Sequence, residues 1–326
     1  MTLSYGFRIV GSCWERRRLV DAGAALRGYA SCDPRADVAR EAYLSSFTFG
    51  PDFRDQLEST GSTAGFSGDC WAPFLWWDID RENELPAALR DARRLASFLL
   101  DRYRTLDDDD LLIFYSGAKG FHVGLPTALW GPAPSKMFNA VARSFGEQLA
   151  AAAGVAIDAG VYDKVRPFRA PNSRHPKTGL HKRRVAHREL LGLSPDKILR
   201  LAQEPIPFDL PAPAAGDDQA AADWQGAYRR IAEQTEGKTR RRTDAAKGTP
   251  TLNRLTLDFI RKGAAVGDRH RLLFSAAANL AEFDCPPALA HALLTEAALD
   301  SGLAPGDVRR QIECGLNRVR RGAANA

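Results

Sequence analysis

Hydrophobic positions along the chain switch between a two-residue and a helical period, and the switches outline the elements. Phe74-Leu75-Trp76-Trp77-Asp78-Ile79-Asp80 is apolar and aromatic apart from two carboxylates, which predicts a buried strand with an acidic end. Leu85, Leu89, Ala92, Leu95, Leu99 and Tyr103 form a helical stripe, and Phe138, Val141, Phe145 and Leu149 form another. Between them, 111–116 and about 121–125 read as two more strands. From Pro205 to about Asp223 the chain becomes rich in Pro and Ala and reads as a linker. After Thr251 helical spacing returns in Leu252, Leu255 and Phe259, in Leu272, Leu273, Ala277 and Leu280, and in Leu289, Leu293 and Leu294. Gly263, Gly267, Pro286, Pro287 and Pro305 mark the joints of this small helix bundle. The order of elements is α+β.

Side chains alternate across a strand, so Asp78 and Asp80 point to one face. Two neighbouring carboxylates repel each other, and a divalent cation with a taste for oxygen relieves the repulsion. A solvated strand end is the plainer alternative. Ser116-Gly117-Ala118-Lys119-Gly120-Phe121-His122 follows the second apolar run; its glycines admit a close ligand, and its hydroxyl, cation and imidazole suit a triphosphate. A decorated strand-turn-strand hairpin accounts for the same residues. Ile157-Asp158 adds a carboxylate. Between Lys164 and Arg188 there is no acid and there are nine Lys or Arg residues. Pro171, Pro176 and Gly179 mark that run as a structured turn rather than a solvated tail.

These motifs, in this order, resemble the catalytic subunit of archaeo-eukaryotic primases and the related primase-polymerases. Asp78-x-Asp80 matches the first family motif, Ser116-Gly-x-Lys119-Gly-x-His122 looks like the second, and Asp158 looks like the third. The tract Arg169-x-Pro171-x-Ser173-x-His175-Pro-Lys177-Thr-Gly179 resembles the segment that follows. The likeness covers roughly residues 40–190. It implies a primase catalytic core with a sheet of the RNA-recognition-motif type and an accompanying α/β unit over 1–204, a Pro/Ala-rich and basic linker over 205–250, and a small all-α domain over 251–326. It also implies two Mg²⁺ or Mn²⁺ ions held by Asp78, Asp80 and Asp158, with Asp163 a rival third ligand. Ser116, Lys119, His122, Arg169, Ser173, His175 and Lys177 are then the nucleotide-binding set. The expected reaction joins NTPs or dNTPs on a single-stranded DNA template. In the helical tail, Arg261, Arg269, Arg271, Arg309 and Arg310 either meet phosphates or decorate a bundle that only packs.

Composition narrows the alternatives. At 326 residues, 44% hydrophobic and 9% aromatic, the chain can bury one large or two modest cores. The formal net charge of +5 is small but concentrated in 164–188 and near the C-terminus, which suits nucleic-acid phosphates. Cys13, Cys32, Cys70, Cys285 and Cys314 have no Cys-x-x-Cys spacing, so no zinc site and no disulfide framework is expected. No signal peptide or bilayer-length apolar run is read, so a cytoplasmic protein without membrane contact is expected. The stretch around Gly237-Lys238-Thr239 fits a permissive phosphate-loop pattern but follows a helical reading rather than a strand; a separate helicase is therefore the expected motor partner. Asp107–Asp110 reads as a solvated turn, and His181 and His187 as phosphate contacts or surface groups. Two other function classes fit parts of the pattern: a non-catalytic single-stranded nucleic-acid-binding replication factor and a Mg²⁺-dependent nuclease.

Overall fold

The computed structural model describes residues 3–247, 252–265 and 267–323. The chain opens with β1 (Tyr5–Val10), β2 (Arg18–Asp21), α1 (Ala22–Ala30), β3 (Ala42–Ser45), β4 (Thr48–Phe49) and α2 (Pro51–Thr60). There follow β5 (Cys70–Trp71), β6 (Phe74–Asp80), α3 (Leu85–Arg102), β7 (Leu112–Tyr115), β8 (Gly120–Pro126) and α4 (Phe138–Ala152). Then come β9 (Pro167–Arg169), β10 (Arg183–Arg184), α5 (His187–Gly192), α6 (Pro195–Leu201) and α7 (Asp218–Lys247). The helices α8 (Arg254–Lys262), α9 (Arg269–Ala281), α10 (Pro287–Asp300) and α11 (Pro305–Ala323) close the sequence. The fold class is α+β.

Two compact units divide the chain, Met1–Gln234 and Thr235–Ala326. In the first, one antiparallel sheet runs β5-β4-β1-β3-β9 with β2 also on β1, and a second runs β10-β7-β8-β6. Strand β6 shows why alternation matters. Leu75, Trp77 and Ile79 are 0–3% exposed on the core face, whereas Trp76, Asp78 and Asp80 are only partly buried on the other. The Trp77 indole donates to Gly146 O at 2.9 Å, which pins β6 to α4. Helix α3 begins with Pro86 in its first turn, where the missing N–H costs nothing. It buries Ala92, Leu95, Ala96 and Leu99 completely, and each such leucine contributes about 1.5–3 kcal/mol.

The run expected as a linker is tied down over its first part. Residues 205–217 have no regular structure, but Phe208 packs edge-on to Phe114 at 5.4 Å, and its N–H donates to Ala30 O at 3.0 Å. Asp217 N donates to Leu129 O at 2.8 Å. Pro and Ala gave no periodicity to betray this strap, and its anchors lie far away in sequence. Residues 218–247 are the continuous helix α7, so Gly237 lies mid-helix and no strand-loop-helix phosphate loop is formed. The end of the expected linker, 248–250, and Thr251 lie outside the described residues.

The second unit packs α8–α11 around Phe259, Leu273, Leu280, Leu294 and Ile312. Asn279 is buried and accepts from Asn253 N and Thr256 Oγ1, both at 3.0 Å, which fixes the start of α8. Among the arginines read as phosphate contacts or as decoration of a packing bundle, Arg269 donates to Ser301 O and Gly302 O, while Arg271 and Arg310 pair with Asp268 and Asp307. Among the described residues no helix is long and apolar enough to cross a membrane.

Candidate functional site

The antiparallel register of β6 on β8 sets Asp78 opposite His122 and Asp80 opposite Gly120. Two motifs more than thirty residues apart in sequence thereby meet at one end of one sheet. Lys119 Nζ lies 3.2 Å from Asp80 Oδ2, and its side chain is half exposed. Only glycine fits at 120: a Cβ there would stand 2.0 Å from Ile79 O and 2.6 Å from Asp80 Oδ1. Gly117 holds φ at +89°, the left-handed region that turns the hairpin. The Ser116 hydroxyl oxygen closes the same turn by accepting from Gly120 N at 3.2 Å and Ala118 N at 3.4 Å. In this structure the hydroxyl, expected on a triphosphate, serves that backbone role.

Asp158 reaches the pair through its backbone, donating its N–H to Asp78 O at 2.9 Å. Its carboxylate is engaged elsewhere. Oδ1 accepts from Gly160 N at 2.8 Å and caps a short 3-10 turn over Ala159–Tyr162, and Oδ2 lies 3.8 Å from Arg166 Nη2. Asp163 ends that turn and is exposed. Among the described residues no three His, Cys, Asp or Glu side chains gather closely enough to hold a metal ion. Arg81, which the sequence reading did not single out, locks this corner. It donates to Asp80 O at 2.7 Å, to Asp91 at 2.5 Å and to Ala156 O at 3.0 Å.

The electrostatics of the two strand carboxylates differ. Burial works against the charge of Asp78, but His122, Lys182 and Arg166 outweigh it and hold its carboxyl below the ordinary range. Asp80 is raised by burial and then by repulsion from Asp78, with Lys119 opposing. Asp78 Oδ1 is buried without an aligned hydrogen bond, and His122 Nε2 lies 3.4 Å from it. A buried, unsatisfied carboxylate oxygen beside a second carboxylate fits a hard divalent cation such as Mg²⁺ or Mn²⁺ by donor chemistry.

His122 is not an open phosphate ligand. Its ring lies against Phe168, with centroids 4.4 Å apart, and Nδ1 is buried without a partner. Burial pushes the imidazole down to about 4, and any proton on Lys182 or Arg169 adds to that push while Asp78 opposes it. At neutral pH the ring is uncharged and backs Asp78.

The basic tract forms a hairpin that docks on the glycine turn. Asn172 N donates to Lys182 O and His175 N to Leu180 O, and β10 then joins the edge of β7. Thr178 Oγ1 donates to Gly117 O at 2.5 Å. Ser173 is fully buried and donates to Ala42 O and Ala170 O. Arg169 Nη2 donates to the Tyr43 hydroxyl at 3.1 Å and lies 3.5 Å from Glu41. His175 is pushed down to about 4 by burial and by Arg169, and its Nδ1 accepts from Lys177 N. Lys177 is exposed. Of the expected nucleotide-binding set, Lys177 is exposed and Lys119 is half exposed with its ammonium on Asp80, while Ser116, Ser173, His122, His175 and Arg169 are buried in or bonded within the scaffold.

His181 and His187, expected at the surface or on phosphate, are both buried. Nδ1 of His181 shares a hydrogen with Asn172 O at 2.6 Å, and Nδ1 of His187 faces Asp108 at 3.1 Å. Asp108 also pairs with Arg188 at 3.2 Å, so the aspartate turn at 107–110 anchors α5.

Lys182 is the least expected feature. It is 1% exposed, and its Nζ lies 4.2 Å from the Phe168 ring centroid, 4.8 Å from Phe114 and 5.3 Å from Trp76. Its one hydrogen bond goes to Arg169 O at 2.8 Å. Burial drives its pKa well below the usual lysine range. The residue lines a cavity of about 370 Å³ between the two sheets, together with Phe74, Trp76, Leu44, Val20 and Phe168. Trp76 stands two residues from Asp78 on the same strand face, so this cavity adjoins the acidic corner without containing it.

No protein-family model matches the chain, and no curated protein does. Among solved structures, a crystal structure of primase RepB' superposes at a TM-score of 0.35 with 12% identity, over 99% of this chain and 94% of that one. A superposition that loose fixes no function for this chain.

Proposed function

We propose that the first unit is a divalent-cation-dependent nucleotidyltransferase of the primase-polymerase type, extending a chain of NTPs or dNTPs on single-stranded DNA. The observation that carries this reading is the register of β6 on β8, which sets two carboxylates on one strand face beside Lys119. Asp78 and Asp80 would hold the cation. When bound, it would lower the pKa of an attacking hydroxyl and offset charge on the leaving oxygens. Lys119 and Lys177 then face the polyphosphate, and preorganised ammonium groups of this kind stabilise charge that develops in transfer. His122 and Arg81 are positioning residues: one backs Asp78, the other fixes the strand end that carries Asp80.

The engaged carboxylate of Asp158 favours a second reading, a non-catalytic single-strand-binding factor, because it leaves two acids where three are expected. One experiment separates them. The protein is incubated with single-stranded DNA, Mg²⁺ or Mn²⁺ and labelled nucleotides, with and without a primer. Incorporation that Asp78→Asn and Asp80→Asn each abolish, with template binding retained, is the expected result. Template binding by the wild type without incorporation supports the binding factor, shortening of the DNA supports a nuclease, and incorporation that survives both substitutions removes the cation assignment.

A further inference from the structure

The hairpin β1–β2 carries a feature that the acidic corner does not use. Its loop, residues 11–17, lifts Trp14 to 91% exposure, and of the six tryptophans it is the one exposed. The indole has no ring partner among the described residues. The loop itself is ordered by short bonds: Glu15 N donates to Ser12 O at 2.9 Å, and Trp14 N to Ser12 Oγ at 3.4 Å. A large apolar ring held out in water on a fixed turn gains nothing for the fold.

Cations surround it. Arg16 and Arg18 are exposed, and neither makes an ion pair among the described residues. Arg18 stands directly across from Arg8 in the β1–β2 register; the Arg8 guanidinium is taken up by the Tyr29 hydroxyl and the Arg35 and Ala36 carbonyls, whereas Arg18 is exposed. Arg17 lays its guanidinium over the Phe7 ring at 5.3 Å.

The loop also lies at the end of the first sheet where β3 meets the start of the basic tract. Gly11 N donates to Glu41 O at 2.7 Å, and β1 pairs Val10 with Ala42. Ala42 O in turn accepts from Ser173, and Tyr43 meets Arg169. The base of the loop and the start of the basic hairpin thus meet on the same strand, β3.

We propose that this tip is a contact for single-stranded nucleic acid, in which the Trp14 indole stacks on an unpaired base while Arg16 and Arg18 meet adjoining phosphates. Every base has a π-face, so stacking tolerates sequence, and arginines supply the salt-dependent part of affinity. A duplex hides those faces and offers no such contact. The inference rests on the reading of the first unit as acting on single-stranded DNA, and names the surface that would hold the template.

The test follows indole emission and the anisotropy of a labelled oligothymidine strand during titration of the full-length chain. Wild-type emission falls on binding. Trp14→Ala weakens binding by roughly five- to hundredfold, Trp14→Phe recovers part of the loss, and Arg16→Gln with Arg18→Gln lowers the salt slope by about 1–2. Because all three side chains are exposed or partly so, unchanged circular dichroism verifies the fold of each variant. Wild-type affinity in Trp14→Ala overturns the inference, as does emission that ignores the strand or falls equally with a duplex. Normal Trp14 quenching without nucleotide incorporation sinks the catalytic reading alone. Incorporation with an indifferent Trp14 sinks this inference alone. A wild type with no affinity for single strands sinks both.

Discussion

Lys182 offers the sharpest check on the physics of the site. Its ammonium has left water for three aromatic rings and one carbonyl, with no acid within ion-pair distance among the described residues. Burial lowers its folded pKa, with Arg169 acting in the same sense and Asp78 against it. The unfolded chain keeps a lysine of ordinary pKa, about 10.4. Between the two values the unfolded state binds one proton more than the folded state, so wild-type stability rises with pH across that window. Lys182→Met keeps the length and the ring contacts but has no proton to exchange. Near pH 10.4 and above, the variant is less stable by about 1 kcal/mol, the worth of the bond to Arg169 O. For each pH unit below that, the wild type loses roughly tenfold in its folding equilibrium relative to the variant. The two stability curves therefore cross between about pH 9 and 10, and the variant is the more stable protein at lower pH. Urea titrations followed by tryptophan emission report this directly, because all six tryptophans lie in the first unit. Parallel curves across pH 7–10 would show that the rings keep Lys182 charged, and the argument from desolvation would fall.

Other changes probe other joints. Lys119→Ala should raise the nucleotide concentration needed for half-maximal incorporation about tenfold and leave template affinity alone; an unchanged requirement in a primer-extension assay removes this lysine from the polyphosphate. Gly120→Ala drives a methyl into Ile79 O and toward Asp80, and should cost about 1–3 kcal/mol in a urea titration. Asn172 holds φ at +58° and bonds to Tyr29 O, Ala30 O and Ile206 O, and it accepts from Ile206 N. Asn172→Ala should lose about 3 kcal/mol or more in the same titration, with each net bond worth about 1; a loss below 1 would mean that the Asn172 bonds add little to the strap's anchors at Phe208 and Asp217.

Much of the scaffold is legible because period reports burial. The alternation in 74–80 placed Asp78 and Asp80 on one face, and the stripe from Leu85 onward is α3. Composition misled where polarity was taken for exposure. Lys182, His181 and Ser173 sit in the most basic stretch of the chain and are all buried, because that stretch folds into a hairpin whose backbone and rings satisfy them. Spacing says which residue types are near each other, not which atoms are already engaged. Asp158 does approach Asp78, but by its N–H, while its carboxylate caps a turn. The first sheet was the least legible part, since β1–β4 are short and owe their pairing to partners as distant as β9.

One stretch of backbone has a mechanical meaning. The run from Pro167 to Arg184 gives β9 to one sheet and β10 to the other, and Lys182 bonds back to Arg169 across it. It acts as a short tether between two plates. Parting the plates at this end breaks the Lys182 bond to Arg169 O and pulls on both strand pairings. A guest that fits the existing gap leaves that tether intact.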